Sequence, residues 1–387
     1  MTWVFQVFSF SASPAFVKCR AGNRKIKMFP CIDRTVPHIE EKILSYLEPR
    51  DLAASMLVCR PWYRKARTLL YKRYVIIKRI EGTVPLVDAA HRGYNYLVAF
   101  LMRDKHLDVN EQDMFGWTAL TEAALRGHEG ILEMLLRRED IDINKTTGYS
   151  RTALMYAAKK GHDRSVKLLL GQEQILVNIC GQNGRTALVE AAWYGHDRVT
   201  EYLLQHPDIN VNVQDCDGAT ALFCAAMAGF KSVVELLLQR KDILVNTVDR
   251  LGMTPLIIAA RNRHLNIVQD LLQHPYIDVN INDNEGQSAL TGAAISEHEM
   301  VVKSLLARED ILVNEVDKYG RTPLMYAAEQ GNENIVKCLL QHYGTNIKIQ
   351  DKGGQTALSY AKYGENKKIV AMLKKRTTMS KCQSMAR

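Results

Sequence analysis

The chain has 387 residues, 47% hydrophobic and 24% charged, a length that ordinarily builds two or three domains and a composition that excludes disorder as the main state. Its net charge of +9 is unevenly placed: residues 1–82 hold 16 basic against 6 acidic side chains, residues 83–360 hold 27 against 35, and residues 361–387 hold 8 against 1. An acidic body repels a phosphate backbone, so nucleic-acid binding is disfavoured and would have to use the basic ends.

The opening run Met1–Val17 is uncharged but interrupted by Gln6, Ser9, Ser11, Ser13 and Pro14, short of the roughly 20 apolar residues that span a bilayer. The first cation is Lys18, so the basic start of a secretory signal is missing. Residues 1–35 therefore read as a disordered leader, or in part as an extension upstream of a start at Met28.

Residues 36–71 come next. Ile39, Ile43, Leu44 and Leu47 share one helical face, Glu48-Pro49 ends that helix, and Asp51 or its neighbour caps another before Leu57-Val58-Cys59-Arg60-Pro61-Trp62-Tyr63. On these residues alone the segment is a small helical domain, and a role as N-terminal cap for a longer array would account for it. The order Pro37, Ile43-Leu44-x-Tyr46-Leu47, Pro49-x-Asp51-Leu52, Leu57-Val58-Cys59-Arg60-x-Trp62 resembles the F-box, a helical module by which substrate receptors dock on the Skp-type adaptor of a cullin-RING ubiquitin ligase. Pro37 sits one residue nearer Ile43 than the family pattern has it, with Val36 where Leu is usual. The resemblance implies a three-helix module in which Pro37, Ile43, Leu44, Leu47, Pro49, Leu52, Val58, Cys59 and Trp62 shape the fold or the adaptor-facing surface. Residues 72–82 read as a linker.

From residue 83 the sequence is periodic. Thr118-Ala119-Leu120, Thr152-Ala153-Leu154, Thr186-Ala187-Leu188, Thr220-Ala221-Leu222, Thr254-Pro255-Leu256, Ser288-Ala289-Leu290, Thr322-Pro323-Leu324 and Thr356-Ala357-Leu358 succeed one another at 34 residues, after a weaker Val84-Pro85-Leu86. Within a unit Leu154, Ala157 and Ala158, then Val166, Leu169 and Leu170, have the spacing of two short helices. Gly161 supplies the turn between them, and Asn183-Gly184 a tight turn before the next Thr. Such a helix pair cannot bury its own apolar stripe, so stacking is compulsory.

These residues resemble the ankyrin repeat, whose Thr-Pro-Leu-His-x-Ala signature stands here as Thr-Ala/Pro-Leu-x-x-Ala-Ala. The resemblance implies an all-α ankyrin-repeat solenoid, helix-turn-helix plus β-hairpin fingers, over residues 83–376 in about nine 34-residue units, with a disordered basic tail at 377–387. The signature His is replaced by Thr121, Met155, Val189, Phe223, Ile257, Thr291, Met325 and Ser359, which predicts looser fingers. The turn Gly becomes Arg263 in one unit and Glu297 in the next, each at a cost of about 1 kcal/mol in a left-handed conformation, which predicts a soft point within 250–320. Nine stacked units at about 10 Å each give an array of about 90 Å.

No GxxxxGK[ST], GxSxG, HExxH or EF-hand motif occurs, so no catalytic residue and no cofactor is expected. The eight cysteines form no CxxC pair, which argues for a reducing compartment and against both a disulfide framework and a zinc finger. His128, His162 and His196 recur at 34 residues, as do His264 and His298. Residues that repeat with the unit do one local job in each, and copies about 10 Å apart cannot share a metal held at about 2 Å. Periodic Thr and Asp likewise read as cap and turn groups.

Function then belongs to positions that the period leaves free. In ankyrin-like units these are the finger tips and the end of the first helix, which here gives Met114, Phe115, Trp117, Arg126, Tyr149, Arg151, Lys159, Arg185, Trp193, Tyr194, Met253, Tyr319 and Arg321 as target-binding candidates. The two resemblances together imply a non-enzymatic receptor in the cytoplasm or nucleus, or in host cytosol for a pathogen effector. Its module would dock a Skp-type adaptor and cullin-RING ligase while the array holds a target protein, with no membrane and no nucleic-acid partner. The alternative is an ankyrin scaffold or inhibitor without a ligase role.

Overall fold

The computed structural model describes residues 84–385, with side chains as far as 378, and two short strands near the start. The expected module at 36–71, with Pro37, Ile43, Leu44, Leu47, Pro49, Leu52, Val58, Cys59 and Trp62, lies outside the described residues. The chain divides into two units, Met1–Pro85 and Leu86–Arg387. In the first, β1 (Cys19–Ala21) and β2 (Arg24–Ile26) pair antiparallel.

The second unit is built on the periodic hydroxyl residues. Thr118, Thr152, Thr186, Thr220, Thr254, Ser288, Thr322 and Thr356 each accept a hydrogen bond from the backbone N–H three residues on, which caps a helix start. The described part of this unit holds nine helix pairs: α1 (Pro85–His91) with α2 (Asn95–Leu101), α3 (Ala119–Arg126) with α4 (Glu129–Leu136), α5 (Ala153–Lys160) with α6 (Asp163–Leu170), α7 (Ala187–Tyr194) with α8 (Asp197–Leu204), and α9 (Ala221–Ala228) with α10 (Lys231–Leu238). Then come α11 (Pro255–Arg261) with α12 (Leu265–Leu272), α13 (Ala289–Ile295) with α14 (Glu299–Leu306), α15 (Pro323–Glu329) with α16 (Glu333–Gln341), and α17 (Ala357–Tyr363) with α18 (Lys367–Met385). First helices pack on first helices and second on second. The Ala-Ala pairs, such as Ala191-Ala192 and Ala225-Ala226, are fully buried, because only a methyl group leaves room for the next helix, while Leu188, Leu222 and Leu237 fill the space beside them.

Three kinds of hydrogen bond join the units. Asn110, Asn144, Asn178, Asn212, Asn246, Asn280 and Asn314 each donate from Nδ2 to a carbonyl 30 residues on, at 2.6–2.7 Å, and accept on Oδ1 from the N–H 32 residues on, at 2.8–3.1 Å. Finger is joined to finger by backbone bonds such as Cys216 N–H to Asn183 O (2.9 Å), Arg250 N–H to Asp217 O (2.8 Å) and Lys318 N–H to Glu285 O (2.8 Å). The histidines supply the third: Nε2 of His162 meets Leu125 O at 3.1 Å, Nε2 of His196 meets Lys159 O at 3.0 Å and Nε2 of His264 meets Met227 O at 3.2 Å, the local role expected of a periodic residue.

The expectation of loose fingers is corrected. Asp215 donates its N–H to Ala219 O, and its carboxylate accepts from the N–H groups of Asp217 and Ala219, all at 2.9 Å. The same closure recurs at Asp113, Asp249, Asp283, Asp317 and Asp351. The missing signature His is thus replaced by a carboxylate already in the turn. The fingers are tight turns, with Asn282 and Ser288 pairing as an isolated bridge. The last helix, α18, runs to Met385. Residues 367–385 contain no Gly or Pro to stop it.

The turn Gly between paired helices is needed twice over. At Gly161, φ is +70°, and a Cβ would lie 2.6 Å from the His196 ring. Arg263 (φ 66°) and Glu297 (φ 59°) hold the left-handed conformation with a Cβ in place. The next unit's residue yields: His298 and Asn332 cap their own helices through Val301 N–H and Ile335 N–H. The links between units are supplied instead by Ser296 Oγ to Ala260 O (3.3 Å) and Gln330 Nε2 to Ile295 O (2.8 Å).

These links lead to two expected outcomes. Asn212→Ala removes both bonds of one joint and lowers stability by about 1–3 kcal/mol, read as a shift of the urea midpoint. Arg263→Gly and Glu297→Gly each raise stability by about 1 kcal/mol and slow amide exchange in 250–320, the segment that exchanges first in the native chain. Uniform exchange along the array would refute the soft point.

Candidate protein-binding face

Six positions in each repeat follow one side of the first helices and fingers: the two finger-tip residues, the residue before the capping Thr, and the residues four, seven and eight beyond that Thr, the one four beyond being buried in units such as those of Glu190, Cys224 and Ile258. Side chains at these positions meet each other across units. The Trp117 and Tyr156 rings have centroids 4.6 Å apart. Arg151 Nη2 lies 2.9 Å from Oε1 of the buried Glu190, an ion-pair distance without hydrogen-bond alignment. The Arg185 guanidinium sits 4.0 Å from the Trp193 ring centre while its Nε donates to Asp215 at 3.0 Å. Lys159 lies 5.5 Å from the Tyr194 ring centre, and Arg321 lies 5.5 Å from that of Tyr326 and 4.7 Å from that of Tyr360.

The candidates from the sequence fall into three groups. Met114, Phe115, Arg126, Tyr149, Tyr194 and Tyr319 are exposed; Trp117, Arg151, Lys159, Arg185, Trp193 and Arg321 are half-buried, held by the stacks and ion pairs just described. Met253 does not belong to the surface: it is 9% exposed against 75% for Met114, and Arg261 Nη1 approaches its sulfur at 3.2 Å. Arg261 reaches on to Asp283 at 2.7 Å and Gln287 at 2.5 Å, and so closes over Met253.

The sequence reading missed Tyr156, Glu190, Tyr326 and Tyr360, all four residues beyond a capping Thr. The available signal was variability: between Leu and Ala-Ala that position runs Glu122, Tyr156, Glu190, Cys224, Ile258, Gly292, Tyr326, Tyr360, while the Leu two residues before it and the Ala that follows it are constant.

Electrostatics track burial. Desolvation pushes the Cys224 thiol up to about 12, opposed by the nearby Arg185. Burial and the hydrogen bond to Asp351 push the Tyr360 phenol up to about 12, and the same phenol holds the Asp351 carboxyl below its ordinary range. Burial, then Asp317, raises Tyr326 in the same way. A deprotonated phenol at Tyr326 or Tyr360 would face a carboxylate. These groups therefore hold protons as structural donors, an arrangement suited to a fixed contact surface.

Among the described residues no three His, Cys, Asp or Glu side chains converge as a metal site. No described helix is long and apolar enough to cross a membrane.

A solenoid of nine helix pairs with closed fingers and a variable inner surface defines a repeat protein of the binding class. The family model for ankyrin repeats (3 copies) matches overlapping segments from residue 65 to residue 384, and the chain belongs to the ankyrin-repeat family. The F-box-like model matches residues 38–77, across the segment whose residues resembled that module. The chain is thus an F-box plus ankyrin-repeat protein, and both modules are of the non-catalytic, protein-binding kind. A search of curated proteins finds no match.

Burial makes a thiol prediction. At pH 8 iodoacetamide modifies the exposed Cys180 and Cys216, while Cys224, buried and protonated, reacts at least tenfold more slowly. Because the folded-state pKa values of Cys224 and Tyr360 are raised, their contribution to stability is complete below the unfolded values near 9 and 10 and is lost as pH rises to about 12. Peptide mapping of the alkylated chain and urea midpoints between pH 8 and 12 check both.

Proposed function

We propose that the chain is the substrate-recognition adaptor of a Skp/cullin/F-box ubiquitin ligase. The observation that carries this reading is the pairing in one chain of an F-box-like segment at 38–77 with an ankyrin array that holds nine helix pairs among its described residues. The F-box-like segment docks a Skp-type adaptor through Pro37, Ile43, Leu44, Leu47, Pro49, Leu52, Val58, Cys59 and Trp62. The array holds a target protein on the face carrying Trp117, Arg151, Arg185, Trp193, Tyr194 and Arg321. Trp, Tyr and Arg are the side chains that most often concentrate binding energy, since each combines large area with a polar handle.

Catalysis then belongs to the partners: holding target lysines beside a ubiquitin-charged enzyme raises their effective concentration, and the receptor itself needs no reactive group. The domain plan that goes with this function is a leader at 1–35, the docking module at 36–71, a linker at 72–82 and the array from 83.

The test is co-purification of the full chain with a Skp-type adaptor and cullin. The double substitution Leu44→Asp and Leu47→Asp abolishes adaptor binding and leaves the helical circular dichroism of the array intact. Adaptor binding retained by that variant, or absent from the native chain, sinks the ligase reading and leaves a scaffold or inhibitor.

A further inference from the structure

The array is acidic, yet one end of its binding face is not. In the second to fourth units, those of α3 to α8, the six positions hold five Lys or Arg against two Glu, together with six aromatic residues, inside a stretch, residues 83–360, that nets −8. In the fifth to seventh units the same positions hold two cations against two carboxylates and no aromatic residue. The two carboxylates of the first block are buried and already matched: Glu122 lies 3.0 Å from His91 and 3.8 Å from Arg126, and Glu190 lies 2.9 Å from Arg151. Lys159 and Lys160 form no ion pair among the described residues.

Charge in this block is also divided across the face. The finger tips Met114-Phe115, Gly148-Tyr149 and Gln182-Asn183 carry none, whereas every later unit has one charged tip: Asp217, Arg250, Glu285, Lys318 and Lys352. Met114, Phe115 and Tyr149 are 75%, 59% and 57% exposed, large apolar groups that the stack leaves in water. The cations Arg126, Lys159 and Lys160 stand at the other ends of the first helices. An apolar row of finger tips thus runs beside a basic row of helix ends, separated by the length of a first helix, about 12 Å. Between the rows Trp117 and Arg185 are half-buried. The indole N–H of the first and the Nη groups of the second donate no hydrogen bond among the described residues.

We infer that this end of the face binds an extended segment of the target in which acidic and aliphatic side chains alternate, the acidic ones meeting Arg126, Lys159 and Lys160 and the aliphatic ones meeting Met114, Phe115 and Tyr149. This rests on the proposed role of the face in target binding and adds the chemistry of the partner. Successive side chains of an extended chain point to opposite sides, which is the arrangement that two parallel rows accept. Its backbone carbonyls have no partner of their own and take the unspent donors of Trp117 and Arg185, whereas a helix has satisfied its own. Three units at about 10 Å each take about nine extended residues. A nucleic acid fits less well, because it carries a phosphate at every nucleotide and only the row of helix ends offers cations.

The test uses the full chain and the fluorescein-labelled peptide Asp-Leu-Glu-Val-Asp-Leu-Glu-Val-Asp, its length set by the extended rise per residue. Three comparisons are a peptide of the same composition with all acidic residues at one end, a peptide with Lys for every Asp and Glu, and an oligouridylate of equal length. Anisotropy titration gives about tenfold tighter binding of the alternating acidic peptide than of any of the three. The pair Lys159→Glu and Lys160→Glu weakens it about tenfold and tightens the lysine peptide. The pair Phe115→Ser and Tyr149→Ser also weakens it about tenfold, with the helical circular dichroism of the array intact, and Lys167→Glu on the second helix α6 leaves it unchanged. No binding of the alternating peptide, equal binding of the permuted one, tighter binding of the oligouridylate, or a loss with Lys167→Glu equal to that of the two pairs overturns the inference. Adaptor capture is measured on the same samples. Its persistence when the peptide fails confines the failure to this inference, and its absence when the peptide binds confines the failure to the ligase reading.

Discussion

The constraint on which the array depends is that no helix pair can satisfy itself. Two helices of about eight residues leave their Leu and Ala stripes uncovered, and isolated helices of that length are marginal in water. The asparagine before each finger turns this need into register. With one amide it holds a carbonyl 30 residues on and an N–H 32 residues on, so that adjacent units can join at one offset only. A chain of such joints spreads stability along the array, with each unit depending on its neighbours.

That arrangement assigns roles to residues. Positions that cap, close or join are used up by the stack: Thr220 on Phe223 N–H, Asp215 on its own finger, His264 on the preceding unit, Asn212 on the next one. What remains free lies where the chain has already been fixed by others, and variation there is cheap. The pairs seen on that surface, Arg185 on Trp193 and Arg321 between Tyr326 and Tyr360, order large side chains before any partner arrives. Side chains held in this way lose less freedom on binding than solvated ones would.

The fold was legible because its determinants repeat. A 34-residue period, paired apolar stripes and Gly between them were enough to place nine helix pairs, and the substitution of that Gly by Arg263 and Glu297 announced the two left-handed residues that the structure shows. Ser150 and Glu365, also at positive φ, were not anticipated. The surface was less legible because exposure is a property of neighbours. Met253 stands at the same position as Trp117 and Arg151, and only the reach of Arg261 across it decides that it is covered. Finger rigidity was misjudged for a related reason: the absent His was visible in sequence, whereas the capacity of one aspartate to close the turn alone depends on geometry that composition does not carry.

The two unusual turns and the central part of the face fall on the same units. Arg263 ends the turn after α11 and Glu297 the turn after α13, and Ile258, Gly292 and Ile295 come from those same two helices. There the tie from a first helix to the next finger is the ion pair of Arg261 with Asp283 at 2.7 Å. Toward the following unit each of them lacks the His-to-carbonyl link and is joined through Ser296 and Gln330 instead, while His264 keeps its bond to the preceding unit. Stability and surface chemistry therefore vary together along the array, because both are set by which side chains cross from one first helix to the next.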